Sequence, residues 1–279
     1  MDVVTDIAQP LAMGVISHLL GIPTEEQERF RQSAGVVING MDPNSLVDDQ
    51  QRRHAAQARI TLVQLLRLHL RQADGNGSAV ASTVLARLAE PVSPDTDPIP
   101  VTEAIATAAQ LLAAGYETTV GLISNGLYAL LTHPSQLNRL AAAGPEDQAM
   151  HRAVEEILRY EPPVQMTVRI ALAPTTVGGR PVPEGTVTVL AFGAANRDPD
   201  VYDRPHDLDV TRDTPHLSFG LGSHFCLGAP LARLEARLAL AALLRCRPSL
   251  VDESVTYVQS AFTRSLQHLR VRLTDPSSQ

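Results

Sequence analysis

Lysine is absent from this chain of 279 residues, so all 23 basic side chains are arginine; tryptophan is absent too. Cysteine is nearly so. Cys226 and Cys246 sit near either end of one predicted helix, too far apart to bridge, which excludes a disulfide framework. A reducing, cytoplasmic location is the expectation. No run approaches the eighteen or so apolar residues of a membrane span, and no signal peptide is evident at Met1-Asp2-Val3-Val4-Thr5-Asp6. The formal net charge of -7 argues against nucleic acid or an anionic membrane as the main partner. There is no internal repeat, no Gly-rich nucleotide fingerprint and no iron–sulfur cysteine cluster.

What is present is an ordinary globular composition, 44% hydrophobic and 19% charged, long enough for one large domain or two small ones. Residues 3–20 read as an apolar helix broken at Pro10, and Thr24 opens another as N-cap with Gln27 at the capping-box position. After a loop over 40–48, a helix over 49–72 carries Ile60, Val63, Leu66 and Leu70 at helical spacing. Gly75-Asn76-Gly77-Ser78 is a turn, 80–88 a short helix and the proline-rich 91–100 a linker. A long helix is expected over 102–133, with Thr102 as N-cap, and a further one over 148–160. Residues 164–192 change to short strands and turns, 200–215 form an irregular meander, and 255–273 read as terminal strands before a frayed 275–279.

Two stretches carry chemistry. Phe219-Gly220-Leu221-Gly222-Ser223-His224-Phe225-Cys226-Leu227-Gly228 runs directly into a helix with Pro230 in its first turn. The unpaired N–H groups and dipole of that turn would stabilise a Cys226 thiolate. Gly220, Gly222 and Gly228 leave room for something flat and bulky. Cysteine thiolate is one of the axial ligands of haem iron, although a buried structural cysteine in a Gly-rich turn reads equally from the same residues. In the long helix, Ala113, Ala114 and Gly115 make a face nearly without side chains. That face suits either a close helix–helix contact or a planar macrocycle. Glu117 and Thr118 follow one turn on, a carboxylate beside a hydroxyl that can deliver protons through one water; the hydroxyl can also bond the carbonyl one turn back. Glu156 and Arg159 face each other at i,i+3, a spacing equally common for exposed pairs, and Arg169 in the first strand reads locally as a surface arginine.

Phe219, Gly222, His224, Cys226 and Gly228, then Leu231-Ala232-Arg233, have the spacing of a known loop. It resembles the haem-binding loop of the cytochrome P-450 family. Ala114-Gly115-x-Glu117-Thr118-Thr119 resembles that family's oxygen-activation motif, and Glu156-x-x-Arg159 its Glu-x-x-Arg pair. The resemblance covers the given residues in order but only the later two-thirds of a family member. It implies a mainly α fold with a small β-rich region, lacking the N-terminal part of the family fold. One domain, 1–279, would be helix-rich over 1–160, β-rich and meandering over 161–218, with loop and helix over 219–248 and strands over 249–279.

The implied cofactor is haem b with Cys226 as the iron ligand. Phe219, Gly220 and Gly228 of the loop, and Ala114 and Gly115 of the helix, would lie against it, and Arg169 and His224 would hold its propionates. Thr118 is the implied alcohol and Glu117 the acid of proton delivery. Arg212 would join Glu156 and Arg159 in a structural triad. The implied activity is insertion of one atom of O2 into an apolar small molecule, in bacterial secondary metabolism or xenobiotic oxidation. Electrons would come from a ferredoxin-type donor with its reductase, docking on the Cys face with Arg233 as a contact. The competing expectation is a catalytically inert, truncated haem-binding fragment.

Overall fold

Leu20, Phe30, Leu62, Leu66, Ile105 and Leu112 have almost no exposed surface, and all belong to Met1–Val120, the first of two compact units in the computed structural model. The second unit is Gly121–Gln279. The structure describes residues 1–39, 48–73, 83–88, 97, 99–252 and 254–274. The expected loop over 40–47, the turn at 75–78, most of the linker over 91–100 and the end over 275–279 lie outside the described residues.

In the first unit, Pro10 does not break the opening helix. A π-helical turn, Val4–Ala8, hands over to α1, Gln9–Leu20, with Gln9 N–H bonded to Val4 O. Pro10 therefore falls at the second residue of α1, and the chain stays helical through it. Thr24 does not cap either. Pro23 takes the N-cap position of a 3-10 turn, Thr24–Glu26, that leads into α2, Gln27–Asn39, and no side chain caps it. The helix expected over 49–72 forms as α3, Asp49–Ala73. Its buried stripe is Leu62, Leu65, Leu66 and Leu70, while Ile60 is half exposed. The short helix α4 is Val84–Leu88, and α3 packs chiefly on α2. α5, Val101–Leu131, starts one residue before the expected cap: Pro100 O accepts from Glu103 and Ala104 N–H, so Thr102 lies inside the helix.

The second unit takes the last part of α5, then α6 (Pro134–Leu140) and α7 (Gln148–Tyr160). Met150, Ala153, Val154, Ile157 and Leu158 line the buried face of α7 at spacings of three and four. Gly126 of α5 allows close approach there, since a Cβ on it would come within 2.9 Å of Ile157. Two antiparallel ladders follow: β1 (Thr167–Ile170) with β4 (Val187–Leu190), and β2 (Thr175–Val177) with β3 (Arg180–Val182). Ala194-Ala195, expected in the β-rich part, belong instead to a short helix, α8 (Phe192–Ala195).

After the irregular meander comes a 3-10 turn, Gly222–His224, and then α9, Ala229–Arg245, which packs on α7. The expected terminal strands shrink to one short ladder, β5 (Ser249–Leu250) with β6 (Val271–Arg272). The rest of 255–270 is irregular apart from isolated bridges such as Tyr257 with Leu266. Among the described residues no helix is long and apolar enough to cross a membrane.

Candidate active site

Hydrogen bonding within the segment shapes the cysteine loop. Gly220 N–H donates to Leu217 O at 2.8 Å, Phe225 N–H to Gly222 O at 3.0 Å and Cys226 N–H to Phe219 O at 2.9 Å. Gly220 and Gly222 stand at φ of +71° and +75°, a left-handed conformation that glycine takes without a Cβ clash. Cys226 is half-buried and both cysteines are free. Leu221, Phe225 and Leu227 turn outward around it, Leu227 being 84% exposed. A Cβ on Gly228 would lie 3.9 Å from the Cys226 sulfur, so glycine there leaves one side of the sulfur bare. His224 is exposed in the 3-10 turn.

Two layers back the loop. Arg159 of α7, wholly buried, forks onto Glu156 at 2.7 and 2.8 Å and donates to the carbonyls of Asn196, Pro205 and Asp207. Arg212 Nε reaches Glu156 at 3.2 Å, so the three residues singled out in the sequence come together. Ser218 Oγ donates to Leu158 O at 2.6 Å and accepts from the buried Asn196 amide at 2.8 Å, and Asn196 Oδ1 accepts from Leu217 N–H.

The other layer centres on Glu155, which sequence reasoning passed over. Arg233 of α9 forks onto it at 2.7 and 2.8 Å, and Arg233's guanidinium carbon lies 4.6 Å from the Phe219 ring centre. His216 Nε2 approaches Glu155 at 3.3 Å, at an angle too bent for a full hydrogen bond. Its Nδ1 accepts from Ser218 N–H, so the ring proton is on Nε2, facing the carboxylate. Burial pulls the Glu155 carboxyl upward, but Arg233 and His216 outweigh it and hold the group at about 2. The available signal was the Glu155-Glu156 doublet, two carboxylates about 100° apart on one helix. Arg169 is exposed, with Nη1 donating to Val168 O at 2.8 Å.

The α5 face belongs to the first unit. Thr118 Oγ1 donates to Ala114 O at 2.6 Å, the back-bond its position predicts. Ala114 is exposed and Ala113 buried. Gly115 does not present a bare surface outward: a Cβ on it would lie 3.2 Å from Ile16 Cδ1, so its bareness serves the contact with α1. Of the expected ledge only Ala114 faces out. Burial alone pushes the half-buried Glu117 carboxyl up, which raises its share of protonated acid near neutrality.

The profile of one known family, cytochrome P-450, matches residues 148–250. The chain is 39% identical over 279 residues to 6-deoxyerythronolide B hydroxylase of Saccharopolyspora erythraea, covering 98% of this chain and 66% of that one. It is 37% identical to the monooxygenase PikC of Streptomyces venezuelae, covering 97% and 63%. A solved structure of P450BioI, in complex with an acyl carrier protein ligated by hexadec-9Z-enoic acid, superposes with a TM-score of 0.88 at 35% identity, over 98% of this chain and 69% of that one. The chain belongs to the cytochrome P-450 family. It spans 66% and 63% of the length of the two curated relatives above.

Cytochromes P-450 carry haem b, and the loop suits that group. Cys226 offers a soft sulfur with a glycine beside it and outward-facing apolar side chains around it. No cluster of three or more His, Cys, Asp or Glu suited to a metal ion occurs among the described residues.

Proposed function

We propose that this cytochrome P-450 is a haem-thiolate monooxygenase. One observation carries the reading: a half-buried free cysteine, followed directly by the N-terminus of α9, stands in a glycine-shaped loop with apolar side chains turned outward. Haem bound there would activate O2 so that one oxygen atom enters a C–H bond and the other leaves as water, consuming two electrons and two protons. Cys226 would ligate the iron, its thiolate favoured by the positive end of the α9 dipole rather than by free amides, since Ala229 N–H donates to Cys226 O at 3.3 Å and Pro230 has none. His224 and Arg169, both exposed cation-forming groups of the second unit, would hold the propionates.

Thr118 and Glu117 would move protons. The Thr118 hydroxyl, donating to Ala114 O, keeps its lone pairs for a proton-bearing water, and burial favours the protonated form of Glu117. Glu156, Arg159 and Arg212 would act structurally, holding the meander against α7. The substrate would be an apolar small molecule, consistent with relatives named as hydroxylases of 6-deoxyerythronolide B and vitamin D(3). Electrons would come from a ferredoxin-type donor with its reductase. The side-chain fork of Arg233, earlier a candidate docking contact, is turned inward to Glu155.

A carbon monoxide difference spectrum of the reduced protein tests the reading. A strongly red-shifted Soret band is expected, lost in Cys226→Ala and kept in Cys246→Ala. A histidine-type band, or no haem in the pure protein, overturns it. A thiolate band without any substrate-coupled electron consumption selects the inert haem binder instead. In an active preparation, Thr118→Ala should divert electrons to peroxide; unchanged coupling counts against the relay.

A further inference from the structure

Cys226 lies between two contacts made to the same carboxylate. Before it, His216 Nε2 stands 3.3 Å from Glu155; after it, Arg233 forks onto Glu155 at 2.7 and 2.8 Å. The two sides also meet each other, because the Arg233 guanidinium lies over the Phe219 ring at 4.6 Å. Phe219 in turn contacts His216 and Phe225, with ring centres 5.7 and 6.3 Å apart, and its carbonyl accepts the Cys226 N–H. The segment from His216 to Arg233 is thus a loop drawn shut on α7, with Cys226 between its two closing contacts. We propose that Glu155 is a positioning residue for Cys226, a single α7 carboxylate that clasps both flanks of the ligand loop.

The inference rests on the haem-thiolate reading, and two details support it. Glu155 Oε2 is shared between the two flanks, so moving either one disturbs the other. His216 is tied to the loop backbone as well, through Ser218 N–H on its Nδ1. Glu156, the neighbouring carboxylate, instead binds Arg159 and Arg212 and the Asp209 N–H, all outside the loop.

The full 279-residue chain is the test object, with two readouts. The first needs no haem. Hydrogen exchange at the Cys226 and Gly220 amides should quicken about tenfold or more in Glu155→Ala and in Arg233→Met, the scale set by losing a charged hydrogen bond. Glu161→Gln, which breaks the separate 2.8 Å pair with Arg264, should leave those two amides unchanged. The second readout is the reduction potential of the haem-loaded chain. Glu155→Gln leaves the Arg233 charge uncompensated at the flank of the ligand loop and should raise the potential; Arg233→Met should lower it. A merely structural role would move both the same way. Arg233→Lys keeps a charge without the fork, so it should restore the potential and not the amide protection. Unchanged exchange at Cys226 and Gly220, or potential shifts of the same sign, overturns the proposal. A wild-type protein lacking the thiolate band defeats the ligand assignment instead, and the exchange experiment still decides the clasp. Should Glu155→Ala fail to fold, Glu155→Gln carries the exchange measurement too.

Discussion

The shelf around α7 and the β1–β4 ladder belong to the same unit and are built on opposite terms. Around α7, Arg159 is fully buried with its charge matched by Glu156, and Asn196 and Ser218 bond across segments distant in sequence. On the ladder, Val168 faces Val189 and Ile170 faces Val187 on one side of two strands, yet the four are 39%, 57%, 58% and 60% exposed. The polar residues are the buried ones, and the β-branched apolar ones remain open. Apolar sequence alone therefore does not locate stability here; removal from water does, whatever the chemistry of the side chain.

The sharpest way to break that contrast is Arg159→Ala. It leaves the buried Glu156 with only Arg212 and the Asp209 N–H and takes the donor from three backbone carbonyls, so about 3–5 kcal/mol of unfolding free energy should be lost in denaturant titration. A loss below about 1 kcal/mol would mean that the shelf is not what holds the unit. Next is Glu235 of α9, 6% exposed, whose carboxyl burial pushes up to about 7. The folded chain then binds the proton more tightly than the unfolded one. Its stability falls as pH rises through roughly 4.5 to 7, by about 3 kcal/mol, with no penalty below that window and the full penalty above it. Glu235→Gln should flatten that slope, as read from melting temperatures across the same range. A smaller effect, about 1–2 kcal/mol, is expected of Ser218→Ala, which leaves Leu158 O and the Asn196 amide without their partner. At the weak end, Val187→Thr with Val189→Thr should stay within about 0.5 kcal/mol and lower light scattering on heating. A larger destabilisation would show that the ladder's apolar face contributes to the fold after all.

Legibility in the sequence followed the same division. α7 is read without error because its apolar spacing is clean and Pro162-Pro163 ends it. The α3 stripe slipped because Leu62, Leu65, Leu66, Leu68 and Leu70 offer overlapping faces, and only packing on α2 selects among them. Thr24 and Thr102 look like caps, but the preceding Pro23 and Pro100 supply the first acceptor carbonyls instead. The strands expected over 255–273 fail because a period of two specifies a face and not a partner, and only Val271–Arg272 found one. At the site, the composition of the cysteine loop and the acid–alcohol pair were legible as local patterns. The contact of Gly115 with Ile16 was not legible, since Ile16 lies far away in sequence. Glu155 was overlooked for the same reason: a glutamate on a helix reads as solvated surface until residues 61 and 78 positions away close on it.

Adjacent residues Glu155 and Glu156 point about 100° apart, one toward the cysteine loop and the other toward the meander. The angular phase of a single helix thereby sets two separate pieces of chain at once. Deleting one residue between Met150 and Val154 would rotate the pair by a full step against the rest of the unit. Glu156 would be swung into the place of Glu155 and Glu155 into that of the buried Val154, so the register of α7 should tolerate substitution far better than insertion or deletion.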